Sequence, residues 1–179
     1  MLSKESTGLV VIDIQGKLAN IVHESELLIS NTIKLIKGAQ ALNLPILWLE
    51  QNPDKLGTTA PEIRDVLAQI KPISKFTFDA CKEQSFIQSI ENTNISTWLV
   101  CGIETHICVY QTAMSLLNSD FDVELVSDCV SSRTALNKKI AISKLTSKGV
   151  GLTSLEMCLY ELAGDCRATE FKEILSLIK

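Results

Sequence analysis

Residues 9–14 read LVVIDI, an apolar, mostly β-branched run interrupted by one acid, Asp13. A run so short and so apolar predicts a strand covered on both faces, as in a parallel sheet. After it, residues 24–42 set Leu27, Leu28, Ile33, Leu35, Ile36 and Ala39 at helical intervals, and Pro45 opens a second apolar run, ILWL at 46–49. The alternation then continues. The turn-rich stretch 51–60 (QNPDKLGTTA) predicts a surface loop, 60–70 a short helix and the region of Ile73 a third strand. Further helices are predicted over 85–91, 105–117, 133–147, 154–162 and 170–178. TWLVCG at 97–102, VELV at 123–126 and VGL at 150–152 supply strands four to six. Strands alternating with helices place the chain in the α/β class: a six-stranded parallel sheet with helices on both faces, joined by right-handed crossovers into three α/β/α layers.

The chain has 179 residues, which argues for a single domain over 1–179 with a short N-terminal tail at 1–7. Lys and Arg number 17 against 21 Asp and Glu, a formal charge of −4 without a basic block, so the phosphate-neutralising surface of a nucleic-acid binder is not expected. No apolar run is long enough to span a bilayer, and the start MLSKESTG lacks the order of an export signal, so membrane partners are not expected and the expected location is the cytoplasm. Six cysteines in a chain of this length, mostly inside apolar segments such as LVCGI and ICVY, read as free thiols. With His23 and His106 far apart and no C-x-x-C pair, no metal site can be written.

In open parallel sheets, reactive groups gather beyond the carboxyl ends of the strands where the strand order reverses. In the order 3-2-1-4-5-6 the first and fourth strands are neighbours at that reversal. Asp13 then ends the first strand, Lys75 follows the third and Cys108 lies just after the fourth. With Thr105 as N-cap, Cys108 falls in the first turn of a helix, where free amides and the helix dipole favour a thiolate and can hold an oxyanion. The bland alternatives remain open: Cys108 as a small core residue, Asp13 as a capping acid, Lys75 as a solvated lysine, His106 as a surface residue and Arg133 as a helix cap.

GIETHICV at 102–109, taken with VVIDIQ at 10–15 and SKF at 74–76, resembles the isochorismatase-like hydrolase superfamily. SDCVSSR at 127–133 and the C-terminal TSLEMCLYELAGDC and FKEILSLIK make it most similar to the small isochorismatase-domain proteins of unassigned substrate. The resemblance runs from Gly8 onward. It implies a Rossmann-like sheet, an Asp13–Lys75–Cys108 triad, a cis peptide between Ile103 and Glu104, and an oxyanion hole from the backbone N–H groups of Glu104 and Cys108. Nicotinamidase-like members carry an Asp and His metal cluster after the second strand, whereas this chain has Glu50, Gln51 and Asn52 there. The resemblance therefore implies no metal or other cofactor. Isochorismatases that cleave an enol ether do not need the cysteine, so Cys108 points toward the amidase branch.

Together these readings predict a cysteine hydrolase that opens a small amide or related C–N bond through a thioester on Cys108, with Asp13 as base. An ordinary Asp and thiol differ by about 4.6 pKa units, roughly 6 kcal/mol, which the site has to close. The substrate is a small molecule contacted by the loops 15–22, 50–60 and 128–133, with Gln15, Trp48, Glu50, Thr105, His106 and Arg133 as candidate contacts. Relatives are commonly homo-oligomers, so a dimer or larger assembly is expected. The alternatives are a catalytically silent oligomeric binding protein of the same fold and a redox-sensing thiol protein.

Overall fold

The computed structural model describes Met1–Lys179. Its centre is β1 (Thr7–Ile12), buried along its whole length. The sheet is completed by β2 (Ile46–Gln51), β3 (Ile73–Lys75), β4 (Thr97–Ile103), β5 (Asp122–Ser131) and β6 (Gly151–Thr153). All neighbours pair in parallel, in the order β3-β2-β1-β4-β5-β6. β1 and β4 therefore lie side by side where the order reverses, as the sequence predicts.

Alternation along these strands explains their unbroken hydrophobicity, because successive side chains enter different cores. Leu9, Val11, Leu99 and Cys101 pack toward α2 (Ser25–Ala41), α8 (Leu155–Ala163) and α9 (Phe171–Ile178) through Leu35, Ile36, Leu159 and Ile174. Val10, Ile12, Trp98 and Val100 enter the other core with Phe86 and Ile90 of α5 (Gln84–Glu91) and Ala113 and Leu116 of α6 (Tyr110–Asn118). On that second face, α7 (Ala135–Ser147) contributes Leu145 and is capped by the Thr134 hydroxyl, which accepts from Asn137 N–H. Ser154 caps α8 in the same way. No helix is long and apolar enough to cross a membrane, and all six cysteines are free.

The structure departs from the sequence reading at several places. β5 runs to Ser131 instead of ending at Val126, with a register shift against β4 between Val100 and Gly102. Its polar residues are satisfied by partners distant in sequence: Asp128 Oδ1 accepts from Leu155 N–H at 2.8 Å, and Ser127 Oγ donates to Thr153 O. The stretches read as loops hold two short helices, α1 (Gly16–Ile21) and α3 (Pro53–Leu56), too brief to show a period. α4 (Pro61–Val66) covers only part of the helix expected over 60–70, and β6 starts one residue later than VGL. Lys75 lies within β3, paired with Gln51, not beyond the strand. The helix expected over 105–117 is a π-turn, Thr105–Val109, followed by α6.

Candidate active site

Asp13 follows β1 with φ of +52°, a left-handed conformation that carries its carboxylate out of the sheet line. Alongside it, Gly102 has φ of +122°, and a Cβ there would sit 2.0 Å from Ile12 O. Only glycine lets β4 approach the end of β1 this closely, so Gly102 fixes Asp13 beside the turn that carries Cys108.

Lys75 is 0% exposed. Its ammonium donates to Asp13 Oδ2 at 2.7 Å, Gln51 Oε1 at 2.6 Å and Thr77 O at 3.2 Å. Three acceptors for three N–H bonds make a buried ammonium tolerable. Asp13, 4% exposed, is left with one oxygen engaged and the other, Oδ1, buried with no hydrogen-bond partner. Burial pushes the Asp13 carboxyl above the ordinary carboxylate range, against the downward pull of Lys75.

Cys108 is 7% exposed and faces the same cavity as Asp13. Burial pushes its thiol up to about 12, with the Asp13 charge adding to the rise and Lys75 opposing it. The expectation that a helix terminus favours a thiolate is corrected here. Thr105 is inside the turn, the N-cap is Glu104, and Cys108 is the fourth residue of a π-turn closed by Val109 N–H donating to Glu104 O at 3.3 Å. Burial and the Asp13 carboxylate both favour the protonated thiol at this position.

The Ile103–Glu104 peptide is cis. Glu104 borders the cavity, and its N–H meets no protein acceptor. Its side chain turns toward Arg133, whose backbone N–H and Nε donate to Glu104 Oε1 at 3.0 and 3.1 Å.

The cavity, about 110 Å³, is bordered by Asp13, Gln15, Leu18, Gln51, Leu56, Phe78, Ile103, Glu104, Ile107 and Cys108. Of the candidate contacts, Gln15 is among them. Its Nε2 donates to Gln51 O and Gly57 O, and its Oε1 accepts from Gln51 N–H at 2.6 Å. The other candidates lie elsewhere. Trp48 is buried in the core, donating from Nε1 to Thr59 Oγ1 at 2.8 Å. Glu50 accepts from Thr59 N–H and Oγ at 2.6 and 2.8 Å. Thr105 is fully buried, and His106 Nδ1 pairs with Ser132 Oγ at 3.0 Å. Arg133 grips Glu104, so the 128–133 segment braces the turn and does not line the cavity. No group of three or more His, Cys, Asp or Glu side chains is gathered to hold a metal ion.

Leu18 lies in the expected 15–22 segment and Gln51 and Leu56 in the expected 50–60 segment, though none was singled out by residue. Sequence reasoning missed Phe78 and Ile107, which reach the site on the segment after β3 and on the π-turn.

The arrangement sets the Asp13 carboxylate, paired behind the wall with the buried Lys75 ammonium, and the Cys108 sulfur on the border of one mainly apolar cavity. A family model described as Isochorismatase domain matches residues 7–157. A protein of Phytophthora sojae described as a secreted isochorismatase effector, Isc1, is 34% identical over 184 residues, covering 99% of this chain and 87% of its own. The structure of a protein described as MAR1 ribonuclease from Caenorhabditis elegans has a TM-score of 0.93 and 31% identity, over 99% of this chain and 91% of that one. The Escherichia coli YcaC gene product, described as an octameric hydrolase of unknown specificity, has a TM-score of 0.92 over 98% of this chain and 89% of that one. At 21% identity that last likeness is one of fold.

Proposed function

Because the chain belongs to the isochorismatase-domain family and has its hydrolase-type fold, we propose that it is a cysteine hydrolase cleaving a small amide or related C–N bond through a thioester on Cys108. One observation carries this reading: Asp13 commits Oδ2 to Lys75, leaves Oδ1 buried without a hydrogen-bond partner, and borders the same cavity as Cys108. An oxygen so placed is an acceptor for the thiol proton. As the S–C bond forms, that proton passes to Asp13 and the carbonyl π pair moves onto oxygen, held by the Glu104 and Cys108 N–H groups. Collapse breaks the C–N bond, and the amine leaves with the proton from Asp13. Water then attacks the thioester while giving a proton to Asp13. The C–S bond breaks and the thiol is restored with that proton. The sum is amide plus water to carboxylic acid plus amine.

A thiol held at about 12 makes proton transfer and attack a coupled event, not the reaction of a waiting thiolate. Lys75 holds Asp13 in place and charged between steps, and Gln51 holds Lys75.

The nematode relative's description as a ribonuclease raises RNA as a second substrate class. A cavity of about 110 Å³ with no cation on its border and a chain charge of −4 speak for a small molecule instead. A homo-oligomer belongs to the same proposal, after the octamer described for the bacterial neighbour.

The test compares the full chain with Cys108→Ala for ammonia release from neutral amides, with RNA cleavage as a parallel assay. Release by the wild type that vanishes in a folded Cys108→Ala protein is the expected result. Undiminished release by Cys108→Ala refutes the mechanism. Cleavage of RNA without amide turnover establishes the other substrate class, and binding of amides without turnover establishes a silent binding protein.

A further inference from the structure

The walls of the cavity say more about the substrate than its catalytic groups do. Five of the bordering side chains, Leu18, Leu56, Phe78, Ile103 and Ile107, are apolar. Leu56 and Phe78 are 44% and 54% exposed at its rim, large apolar groups left in water with nothing in the fold to cover them. The only charged side chains on the border are the carboxylates of Asp13 and Glu104. Neither nearby cation lies on that border: Lys75 has no exposed surface and all three of its N–H bonds are used, and Arg133, which commits its Nε to Glu104, stands outside the cavity lining.

An anionic substrate entering this space would lose its water with no free cation on the border to replace it, since Asp13 and Glu104 already hold Lys75 and Arg133. A neutral one with a compact hydrocarbon group would cover Leu56 and Phe78 without a charge to desolvate. An engineered apolar cavity of about 150 Å³ in another protein takes benzene, so about 110 Å³ suits an acyl group on the order of four to five carbons.

We infer that the site selects uncharged amides of short aliphatic acids and excludes substrates bearing a carboxylate, with the apolar rim of Leu56 and Phe78 as the specificity element. This rests on the hydrolase reading for its reaction and on the cavity walls for its selectivity, and the two can be tested apart. The composition of the rim also predicts what would reverse the preference: a cation at Leu56, which is exposed enough to carry one.

The experiment measures kcat/KM of the full chain for acetamide, isobutyramide and succinamic acid, and repeats it for Leu56→Lys. Each added carbon from acetamide to isobutyramide raises kcat/KM about fourfold, the factor equivalent to about 0.8 kcal/mol per buried methylene. Succinamic acid, which adds a carboxylate to a similar chain, falls far below isobutyramide, and Leu56→Lys raises its rate relative to isobutyramide by about tenfold or more. Turnover of succinamic acid equal to that of isobutyramide in the wild type overturns the inference while leaving the hydrolase reading intact. If no amide is turned over, binding to the wild type followed by ligand NMR decides. Binding of isobutyramide without succinamic acid sustains the selectivity and removes the hydrolase reading, whereas binding of neither, or preference for the acid, overturns the selectivity.

Discussion

Lys75 shows most plainly how one residue holds this site together. A lysine with no exposed surface is expensive unless its charge is matched, and Asp13 supplies the match at 2.7 Å. Replacing Lys75 with Met leaves a buried carboxylate unpaired and should cost about 3–5 kcal/mol in urea unfolding. Adding Asp13→Asn should restore much of that loss, and a Lys75→Met protein as stable as the wild type would show that the pair is not structural. The same pair sets the pH behaviour. Asp13 serves as base only when ionised, and its value is raised by burial, so kcat should fall as pH drops through a point above the ordinary value of about 3.9. With the thiol held at about 12, no alkaline limb from its ionisation is expected below that range. For the same reason the exposed Cys166 should react with iodoacetamide at neutral pH faster than Cys108. Faster labelling of Cys108 would mean a resting thiolate and a different mechanism.

At the scale of elements, the strand ends do the positioning. Asp13 could be singled out from sequence because an acid at the end of an apolar strand is costly to bury unless a partner or a reaction holds it there. Cys108 stood out by following the fourth strand in an expected first helical turn, and Lys75 only in combination with those two. The long β5 could not, since SDCVSS is polar and its Ser127 hydroxyl and Asp128 carboxylate find their partners only once β6 and α8 lie beside it. The segments 15–22 and 50–60 were legible as cavity walls but their helical form was not, because α1 and α3 are each shorter than two helical turns and carry no periodic signal. Substitution at Gly102 tests the positioning. Gly102→Ala places a Cβ 2.0 Å from Ile12 O in a backbone conformation unsuited to alanine, which should cost about 1–3 kcal/mol as overpacking. By displacing Asp13 it should also lower kcat on the order of 100-fold. An alanine variant with unchanged kcat would separate the close approach of β1 and β4 from the chemistry.

At the scale of the whole molecule, the two hydrophobic cores lie on opposite faces of one sheet and share β1 and β4 residue by residue. Neither core can form without the strands that complete the other, so we propose that residues 1–179 unfold as one domain in a single cooperative transition. Two resolved transitions in urea would contradict this. The proposed assembly is checked by sedimentation equilibrium, which should give a multiple of the 19.7 kDa chain, with a monomer as the contrary result. The fold places the acid of one strand end beside the turn following another. The proposed chemistry depends on a covalent bond forming there. Acid-quenched mass spectrometry during turnover of isobutyramide tests that most directly. The Cys108 peptide should gain the mass of the isobutyryl group in the wild type and not in Asp13→Asn, whereas steady hydrolysis with Cys108 unmodified at every quench time and undiminished in Cys108→Ala would contradict the thioester route.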